Sequence, residues 1–485
     1  MIYRRDSFAS QRKHEANERL RGYLGASLGF LVATAVILPT DTVAAPDVAF
    51  VDRVLPPLRS VRPAPVAPFA RITFANLNSS TFALFARQTM ATTFTDVIKS
   101  RPDVQQRAFE NAQRYIDNLY GGVTSPVSIS IGNITFDCVP TRQQPSLRNG
   151  DPIDQPPNVT LMTRTGRSIL GYTDKTCPTG TIPLKRTSVG TITQYATLQD
   201  YFAKDRGLST RDGMAAPQVL NPMLASGTPA PDGHIHRYAL VREDAVATGI
   251  HANLNIWSPT ISSDEMSLSQ TWIAGGGTQT LESGWQVGDE VDPSRAAPFI
   301  YSTQDGYAFT GCYDLDCAGF VQTTSEPVFA PFAPSFYSSP TGAQQVMDIE
   351  WHRNPVNGNW WLALNGTWAG YYPARLFSSG PLGLNSPNVE ILFGGENTGS
   401  TAQAQMGSGQ FADQGFSKAA YQSRLSYWDQ NGQVHDVAGD EYVTNGKCYS
   451  LARSLISAPP NDAGSYFYFG GPGLLDPICA QSEAP

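Results

Sequence analysis

Charged residues are scarce in this chain of 485 residues, since Asp, Glu, Lys and Arg together make up 16% of it, against roughly 25% in a typical soluble domain. Long apolar runs are missing after residue 45, which excludes a membrane protein with several spans. The hydrophobic share of 41% excludes a disordered chain and predicts a sizeable core. The net charge of −8 argues against a nucleic-acid partner.

The signatures of several common enzymes are also missing. The sequence has no Asp-Thr-Gly or Asp-Ser-Gly of aspartic proteases, no His-Glu-x-x-His, no Walker A motif and no dinucleotide fingerprint. Its only Gly-x-Ser-x-Gly, at 25–29, lies in an apolar N-terminal segment and cannot form a nucleophile elbow. His234 and His236 could share a strand face and hold a metal ion, but a solvent-facing strand is the simpler interpretation. We expect no metal and no organic cofactor.

The first 45 residues have the order of a signal peptide. Residues 1–21 carry six basic residues, residues 22–39 are uncharged and mostly apolar, and small residues follow. This order predicts export and cleavage near Ala44 or Ala45, with an uncleaved membrane anchor as the alternative. We expect a secreted protein, extracellular or periplasmic, whose mature form is not bound to a membrane.

Cysteines are few but even in number, and an even count in an exported chain predicts disulfides. The six cysteines allow fifteen pairings, of which loop closure favours those between neighbours. None of the spacings is that of a zinc knuckle or a redox motif. The pairs predicted are Cys138–Cys177, Cys312–Cys317 and Cys448–Cys479.

Charge is distributed unevenly along the chain. Residues 46–230 carry 19 basic and 13 acidic residues, a net charge of +6, whereas residues 231–485 carry 9 basic and 25 acidic residues, a net charge of −16. All eight Trp lie in the second stretch. We therefore predict a signal peptide at 1–45, a basic module at 46–230 and an acidic domain at 231–485, joined near 225–233 by a segment rich in Pro and Gly.

The basic module contains one strong helix signal. Ser100 and Asp103 have the spacing of a capping box with Pro102 in the first turn. An apolar stripe follows, ending at Gly121 and Gly122; its residues are Val104, Ala108, Ala112, Tyr115, Ile116 and Leu119. Short alternating runs then predict strands, so this module is expected to be a small α+β unit.

The acidic domain has almost no helical periodicity and instead repeats short alternating runs that are typical of strands. Asn357-Gly358 between two such runs predicts a hairpin. The sequence as a whole is therefore predicted to be mainly β, with an antiparallel β-sandwich preceded by the α+β module.

Two carboxylates stand out because they lie among glycines and aromatics. On a strand, Glu282 and Gln286 share one face and Trp285 lies on the other, unless Gly284 forms a bulge. Glu396 follows a Gly-Gly pair. Two carboxylates held close together can serve as an acid and a base that activate water. The residues alone also allow a simpler interpretation, in which both glutamates lie on strands and face solvent.

A set of short motifs resembles the neprosin family of secreted glutamic prolyl endopeptidases. They occur in family order over about half of the chain, and together they are specific. They are the stretches 267–273, 281–287, 310–322, 393–396, 405–409 with Gly415-Phe416, and 466–473. The stretch 136–148 in the basic module, a Cys followed by Gln-Pro, is similar to the family's pro-segment.

This resemblance implies a β-sandwich with a catalytic pair, Glu282 and Glu396, and no cofactor. Glu390 is the alternative to Glu396 as the second catalytic glutamate, but no Gly-Gly pair precedes it. Phe393 stands where the plant family pattern has Trp. This difference concerns the details of the substrate subsites and how strict the preference for proline is. Residues flanking the pair in the same motifs are expected to contact substrate: Trp285, Gln286, Phe393, Gly394 and Gly395.

The resemblance also implies a zymogen that becomes active in acid, cleaves peptides or proteins after proline, and is inhibited by its own pro-segment. Opposite net charges would hold that segment at neutral pH and release it as carboxylates are protonated. We expect autoprocessing near residues 200–230. The alternatives are a secreted carbohydrate-binding or glycan-acting sandwich, whose two glutamates could serve glycoside hydrolysis, and a catalytically silent family member.

Overall fold

A computed structural model describes the chain at residues 81–125, 127–163, 168–204, 235–262, 265–288, 292–385, 387–399, 404–453, 458–460 and 464–482. These stretches all belong to one unit, Ala70–Pro485. The predicted signal peptide and the predicted joining segment at 225–233 lie outside the described residues, so the domain boundaries remain predictions.

The described part of the basic module, residues 81–204, combines short helices with a small sheet. Its helices are α1 (Thr81–Met90), α2 (Phe94–Ser100), α3 (Gln106–Tyr120), α4 (Val189–Ile192) and α5 (Leu198–Phe202). Its three strands pair antiparallel in the order β1 (Ser128–Ile131), β2 (Ile134–Pro140) and β3 (Thr181–Lys185). Two 3-10 turns, Thr141–Gln143 and Pro145–Leu147, follow β2.

The predicted start of the long helix is wrong by several residues. Helix α3 begins at Gln106, after an N-cap residue whose side chain makes no capping bond. Asp103 is not a cap because both of its carboxylate oxygens accept hydrogen bonds from the Arg101 guanidinium, at 3.0 and 2.9 Å. The capping box lies one helix earlier, where Thr93 and Asp96 bond each other's backbone at the start of α2.

Residues from 235 onward form two antiparallel sheets, which confirms the prediction of a mainly β fold. The strands are β4 (Ile235–Val246), β5 (Gly249–Asn255), β6 (Met266–Gly275), β7 (Gln279–Gly288), β8 (Asp292–Thr303), β9 (Cys312–Tyr313), β10 (Val321–Gln322), β11 (Val346–Arg353), β12 (Trp360–Leu364), β13 (Thr367–Tyr372), β14 (Asn388–Gly399), β15 (Ala420–Trp428), β16 (Val434–Asp436), β17 (Asp440–Val443), β18 (Ser450–Ala452) and β19 (Ser465–Gly470). Helix α6 (Pro477–Ser482) follows them.

The seven-stranded sheet has the order β17-β4-β14-β6-β7-β8-β9. The nine-stranded sheet has the order β10-β13-β12-β11-β5-β15-β19-β18, with β16 paired to β15. The hairpin predicted at Asn357-Gly358 joins β11 to β12, and Gly358 has the positive φ of 78° that favours glycine in such a turn.

The inner faces of the two sheets pack against each other and form the main core. Trp285 on β7 donates through Nε1 to the Asn255 carbonyl on β5 at 3.1 Å. Trp351 on β11 donates to the Ser283 hydroxyl on β7 at 2.8 Å. Both indoles are fully buried, and each satisfies its N–H across the sandwich. The fold is therefore a sandwich in which aromatic side chains fill the interior.

The basic module packs against this sandwich. Gln144 and Gln322 exchange hydrogen bonds: the Gln322 N–H donates to Oε1 of Gln144 at 2.8 Å, and Nε2 of Gln144 donates to the Gln322 carbonyl at 3.0 Å. Asp154 accepts from Nε1 of Trp361 at 3.0 Å. These contacts place residues of the module beside the sheets, so that both belong to one unit.

The three predicted disulfides are confirmed: Cys138–Cys177, Cys312–Cys317 and Cys448–Cys479 are bonded. Each joins neighbours along the chain, as loop closure favours. Within the described stretches, no helix combines the length and the apolar character needed to cross a membrane.

Candidate active site

Glu282 and Glu396 lie on two strands of the seven-stranded sheet that flank β6. Glu282 on β7 faces Trp272 on β6, and Glu396 on β14 faces Leu268 on β6. Leu268 and Trp272 are separated by four positions on one strand, so all four side chains share one face of the sheet. This is the outer face, opposite the main core. Both glutamates are nevertheless fully buried.

The carboxylate of Glu282 has two hydroxyl partners and one ammonium partner. Its Oε1 accepts from the Tyr307 hydroxyl at 2.5 Å and from the Thr280 hydroxyl at 2.9 Å. Its Oε2 lies 2.8 Å from Nζ of Lys204. A fully buried carboxylate needs such partners, because an unpaired one is costly.

The carboxylate of Glu396 has a different set of partners. Its Oε1 lies 2.8 Å from Nδ1 of His236 on the neighbouring strand β4. Its Oε2 accepts from Lys204 at 2.9 Å and from Nε2 of Gln270 at 3.2 Å. Gln270 is on β6, between the two glutamates, and its Oε1 has no hydrogen-bond partner among the described residues.

Lys204 reaches the site from the basic module, two residues after α5 ends. Its carbonyl accepts from the Tyr313 hydroxyl at 2.6 Å, and the Phe202 carbonyl accepts from the Tyr301 hydroxyl at 3.4 Å. Its ammonium lies 5.7 Å from the centre of the Trp272 ring, a cation–π distance. One positive charge of the module thus lies between the two glutamates, and tyrosines of the sandwich hold the backbone that carries it.

The charges at this site shift one another's pKa values. Burial alone would raise the pKa of Glu396, but the Lys204 ammonium and the His236 hydrogen bond outweigh burial and lower that pKa to about 2. Burial would lower the pKa of Lys204, yet the two carboxylates raise it well above its usual value. Both groups are therefore charged at neutral pH.

Glycines allow the strands to lie close together at the site. A Cβ on Gly284 would lie 2.0 Å from the Ser269 carbonyl and 2.6 Å from Cα of Gln270. A Cβ on Gly394 would lie 2.4 Å from the Ala239 carbonyl. Gly284 and Gly394 are the two residues that face Gln270 from either side. Glycine is thus required because backbones of adjacent strands approach each other here.

The predicted site residues divide between the two faces of the sheet. Gln286 and Gly394 share the outer face with the glutamates, as their register with Leu268 and Gln270 shows. Trp285 and Phe393 belong to the core between the sheets and are fully buried there. A Cβ on Gly395 would likewise meet Phe469 and Met406 of that core. The prediction that Trp285 and Phe393 contact substrate is corrected, because strand alternation turns their side chains inward. Gly395 has no side chain, so its substrate contact stays a prediction.

Glu390, the alternative to Glu396, has a different charged partner from the pair. It is on the same strand, but its carboxylate contacts the Arg242 guanidinium at 3.3 Å. It lines a cavity of about 550 Å³. Trp272, Tyr307 and Thr280 also line this cavity, so the space opens next to the hydroxyl partners of Glu282.

Sequence reasoning missed several residues of the site. Lys204 is one basic residue among many in its module, and no local motif distinguishes it. Tyr307 lies in a loop between β8 and β9, where no strand periodicity applies. The sequence favours a solvent-facing strand for His236, whereas its ring is buried and contacts Glu396. For the described residues, the group close enough to hold a metal lies elsewhere, at His251, Asp348 and Glu350.

Comparison with known proteins confirms the resemblance drawn from the motifs, since residues 263–472 match the Neprosin family model. The fold is similar to a crystal structure of scytalido-glutamic peptidase with a peptide-based transition state analog, at 10% identity and a TM-score of 0.26, covering 49% of this chain and 97% of that chain. It is also similar to a β-porphyranase from the human gut bacterium Bacteroides plebeius, at 10% identity and a TM-score of 0.18, covering 41% of this chain and 79% of that chain.

Proposed function

We propose that this chain, whose residues 263–472 match the Neprosin family model, is a glutamic endopeptidase made as an inactive precursor. One observation carries the proposal: the Lys204 ammonium is within hydrogen-bond distance of both Glu282 and Glu396, at 2.8 and 2.9 Å. A water molecule at the same place would contact both carboxyl groups. Once Lys204 has left, the pair can hold the water that attacks a peptide bond.

The two glutamates divide the work of acid and base. Glu396 as the carboxylate takes a proton from the water, whose oxygen attacks the carbonyl carbon. Glu282 as the carboxylic acid gives its proton to the carbonyl oxygen. When the tetrahedral intermediate collapses, Glu396 returns its proton to the leaving nitrogen and Glu282 recovers its own. Each proton is thus accounted for and no cofactor is required.

The partners that remain after Lys204 leaves support this assignment. Glu396 keeps the His236 ring, whose hydrogen bond lowers the pKa of Glu396. Glu282 keeps two neutral hydroxyl partners, Tyr307 and Thr280. Two buried carboxylates this close cannot both be ionised easily, so one binds a proton. Activity is therefore expected on the acid side of neutrality.

The substrates proposed are peptides or proteins, with a preference for cleavage after proline. The preference follows from the resemblance to neprosins, and the cavity beside Glu282 is compatible with it. Its wall includes Trp272 and Tyr307, and a proline ring packs well on aromatic faces.

The precursor state is supported by the same lysine. Lys204 belongs to the basic module, proposed as a pro-segment at 46–230, and its ammonium takes the place that a catalytic water needs. The module thereby acts as an intramolecular inhibitor. Processing is proposed near residues 200–230, and the part of this stretch after Lys204 lies outside the described residues. Export through the signal peptide is part of the proposal, and three disulfides are compatible with an oxidising compartment.

The test is hydrolysis of fluorogenic peptides from pH 2 to 8, by precursor first incubated at pH 3 or pH 7. Glu282→Gln and Glu396→Gln should each lower kcat by about 10²–10⁴-fold. Glu441→Gln, at an exposed position on the edge strand β17, is the control and should retain activity. A peptide with alanine in place of proline measures the preference.

Three results would contradict parts of the proposal. Activity in either active-site variant would exclude a glutamate pair. A full-length band that persists at pH 3 would exclude acid processing. Processed wild type should also be tested on a polysaccharide. If it cleaves no peptide, activity on the polysaccharide would favour a glycan-acting sandwich, and no activity on either would favour a silent family member.

A further inference from the structure

A second cluster of titratable groups lies on the other sheet, away from the glutamate pair. His251 on β5 faces Glu350 on β11 in register, and Asp348 is two positions along β11 on the same face. All three are buried, with His251 and Glu350 at 0% exposure and Asp348 at 4%. One potential ligand atom of each lies within 4.8 Å of the others.

The backbone of β15 fixes the orientation of the His251 ring. Nδ1 of His251 lies 2.8 Å from the Arg424 carbonyl. Arg424 has a φ of 52°, and the pairing of β15 with β5 shifts between Ser423 and Ser426. This β-bulge directs the carbonyl toward the ring. An outer hydrogen bond of this kind orients the histidine ligands of metal ions.

The other ring nitrogen then requires a proton or a metal ion. Nε2 of His251 lies 2.6 Å from Oδ2 of Asp348. Neutral imidazole has a single N–H, and Nδ1 uses it on the Arg424 carbonyl. Nε2 and Oδ2 are therefore two acceptors in contact, unless a proton or a metal ion lies between them.

Asp348 gives an independent indication of a missing ligand. Its Oδ2 also accepts from the Thr163 hydroxyl at 2.6 Å. Its Oδ1, however, is buried and has no hydrogen-bond partner among the described residues. An unsatisfied carboxylate oxygen in a buried place is costly. A cation bound there would satisfy it.

Glu350 completes the set, and the basic module covers it. Its Oε2 accepts from the Met162 N–H at 2.9 Å, and its Oε1 lies 2.6 Å from Nε2 of His352. Two carboxylates thus share a small buried volume with two imidazole rings. Residues 162 and 163 of the module close the cluster from outside.

We propose that His251, Asp348 and Glu350 bind a divalent transition-metal ion, with Zn²⁺ as the ion to test. One imidazole nitrogen and two carboxylate oxygens suit such an ion, whereas Ca²⁺ and Mg²⁺ prefer oxygen ligands alone. The ion would link β5 to β11 beneath residues of the basic module. The proposal is independent of the peptidase function, because the site is on the other sheet.

The experiment uses the full chain, stripped of metal with EDTA, and measures Zn²⁺ binding at pH 7 by calorimetry and by metal content. One equivalent should bind. Because loss of an outer-shell partner already costs 10–100-fold in affinity, loss of a ligand in Asp348→Asn or His251→Gln should weaken binding by at least about 100-fold. Ca²⁺ should bind more weakly than Zn²⁺.

Two variants serve as controls, and both should bind Zn²⁺ like wild type. Asp429→Asn removes the partner of His435, a His–Asp pair that is partly exposed, at 3.2 Å. Glu282→Gln alters the glutamate pair.

Wild type that binds no Zn²⁺ would overturn the proposal and assign a proton to the His251–Asp348 contact. Binding lost in Glu282→Gln but kept in Asp348→Asn would also overturn it. Should both ligand variants fail to fold, a Zn²⁺ anomalous-scattering peak at His251 in wild-type crystals would support the proposal, and its absence there would overturn it.

Discussion

The ammonium group of Lys204 lies 2.9 Å from Oε2 of Glu396, although 192 positions separate the two residues in the chain. The same ammonium contacts Glu282, so one positive charge of the basic module lies between the two carboxylates that we propose as catalytic. The positive net charge of the basic module and the negative net charge of the acidic domain thus meet at this site in one set of ion pairs. A water molecule and this lysine cannot occupy the place together.

Replacing the lysine should activate the uncleaved precursor. Lys204→Met keeps the length of the side chain but removes the charge, leaving two buried carboxylates without their cation. Breaking a buried ion pair costs roughly 3–5 kcal/mol, so docking of the segment should weaken strongly. We expect the initial rate of peptide hydrolysis by uncleaved precursor at pH 5 to rise on the order of 100-fold, with a gel to show that the chain is intact.

Lys99→Met is the matched control for this variant. Lys99 belongs to the same module, but its ammonium is exposed and pairs with Asp96 on the surface of α2. A surface pair of this kind contributes little to stability. Equal rates for Lys204→Met and Lys99→Met precursors would exclude Lys204 as the inhibitory group.

The stability of the precursor should depend on pH through Glu396. The folded-state pKa of about 2 lies below the ordinary value of 4.5, so the contribution of this group is present above pH 4.5. It is lost as pH falls from 4.5 toward 2, and its size is on the order of 3 kcal/mol. Urea unfolding at pH 6, 4 and 2.5 should show this loss in wild type.

The comparison that isolates Glu396 is Glu396→Gln, which cannot titrate at this position. Its stability should be lower at pH 6 and should decrease less between pH 6 and 2.5. A gel after each measurement confirms that the chain remains uncleaved. Parallel pH dependences for the two proteins would show that Glu396 does not carry the effect.

Strand alternation explains how far the sequence predicts this site. Glu282 and Gln286 were expected on one face and Trp285 on the other, and the register confirms it because β7 has no bulge at Gly284. The same rule corrects the assignment of Trp285 and Phe393 as substrate contacts. Lys204 was not predictable, because its place depends on the docking of two segments far apart in sequence, which no local period encodes.

His236 is expected to position Glu396 and to keep it ionised in acid. His236→Gln removes the ring whose hydrogen bond lowers the pKa of Glu396. That pKa should therefore rise in the processed enzyme, and the carboxylate form should be lost at higher pH than in wild type. The acid limb of the kcat profile should move to higher pH, which a purely structural loss would not cause.

The control for His236→Gln is His435→Gln, at a partly exposed histidine that pairs with Asp429. Its profile should coincide with that of wild type. An unmoved acid limb in His236→Gln, whatever the change in kcat, would mean that the ring does not act on the ionisation of Glu396.

Gly284 should be essential both for the pairing of β6 with β7 and for the geometry of the glutamates. In Gly284→Ala the new Cβ would meet the Ser269 carbonyl at 2.0 Å and Cα of Gln270 at 2.6 Å, so the strands must move apart. Overpacking of this kind costs about 1–3 kcal/mol, and a shift of about 1 Å at a catalytic group can cost on the order of 100-fold in rate. The free energy of unfolding, measured in urea, and kcat should therefore both decrease. Gly446→Ala is the control, because its Cβ would meet nothing within 4 Å, and it should match wild type. A Gly284→Ala enzyme as stable and active as Gly446→Ala would show that the strands can separate without disturbing the pair.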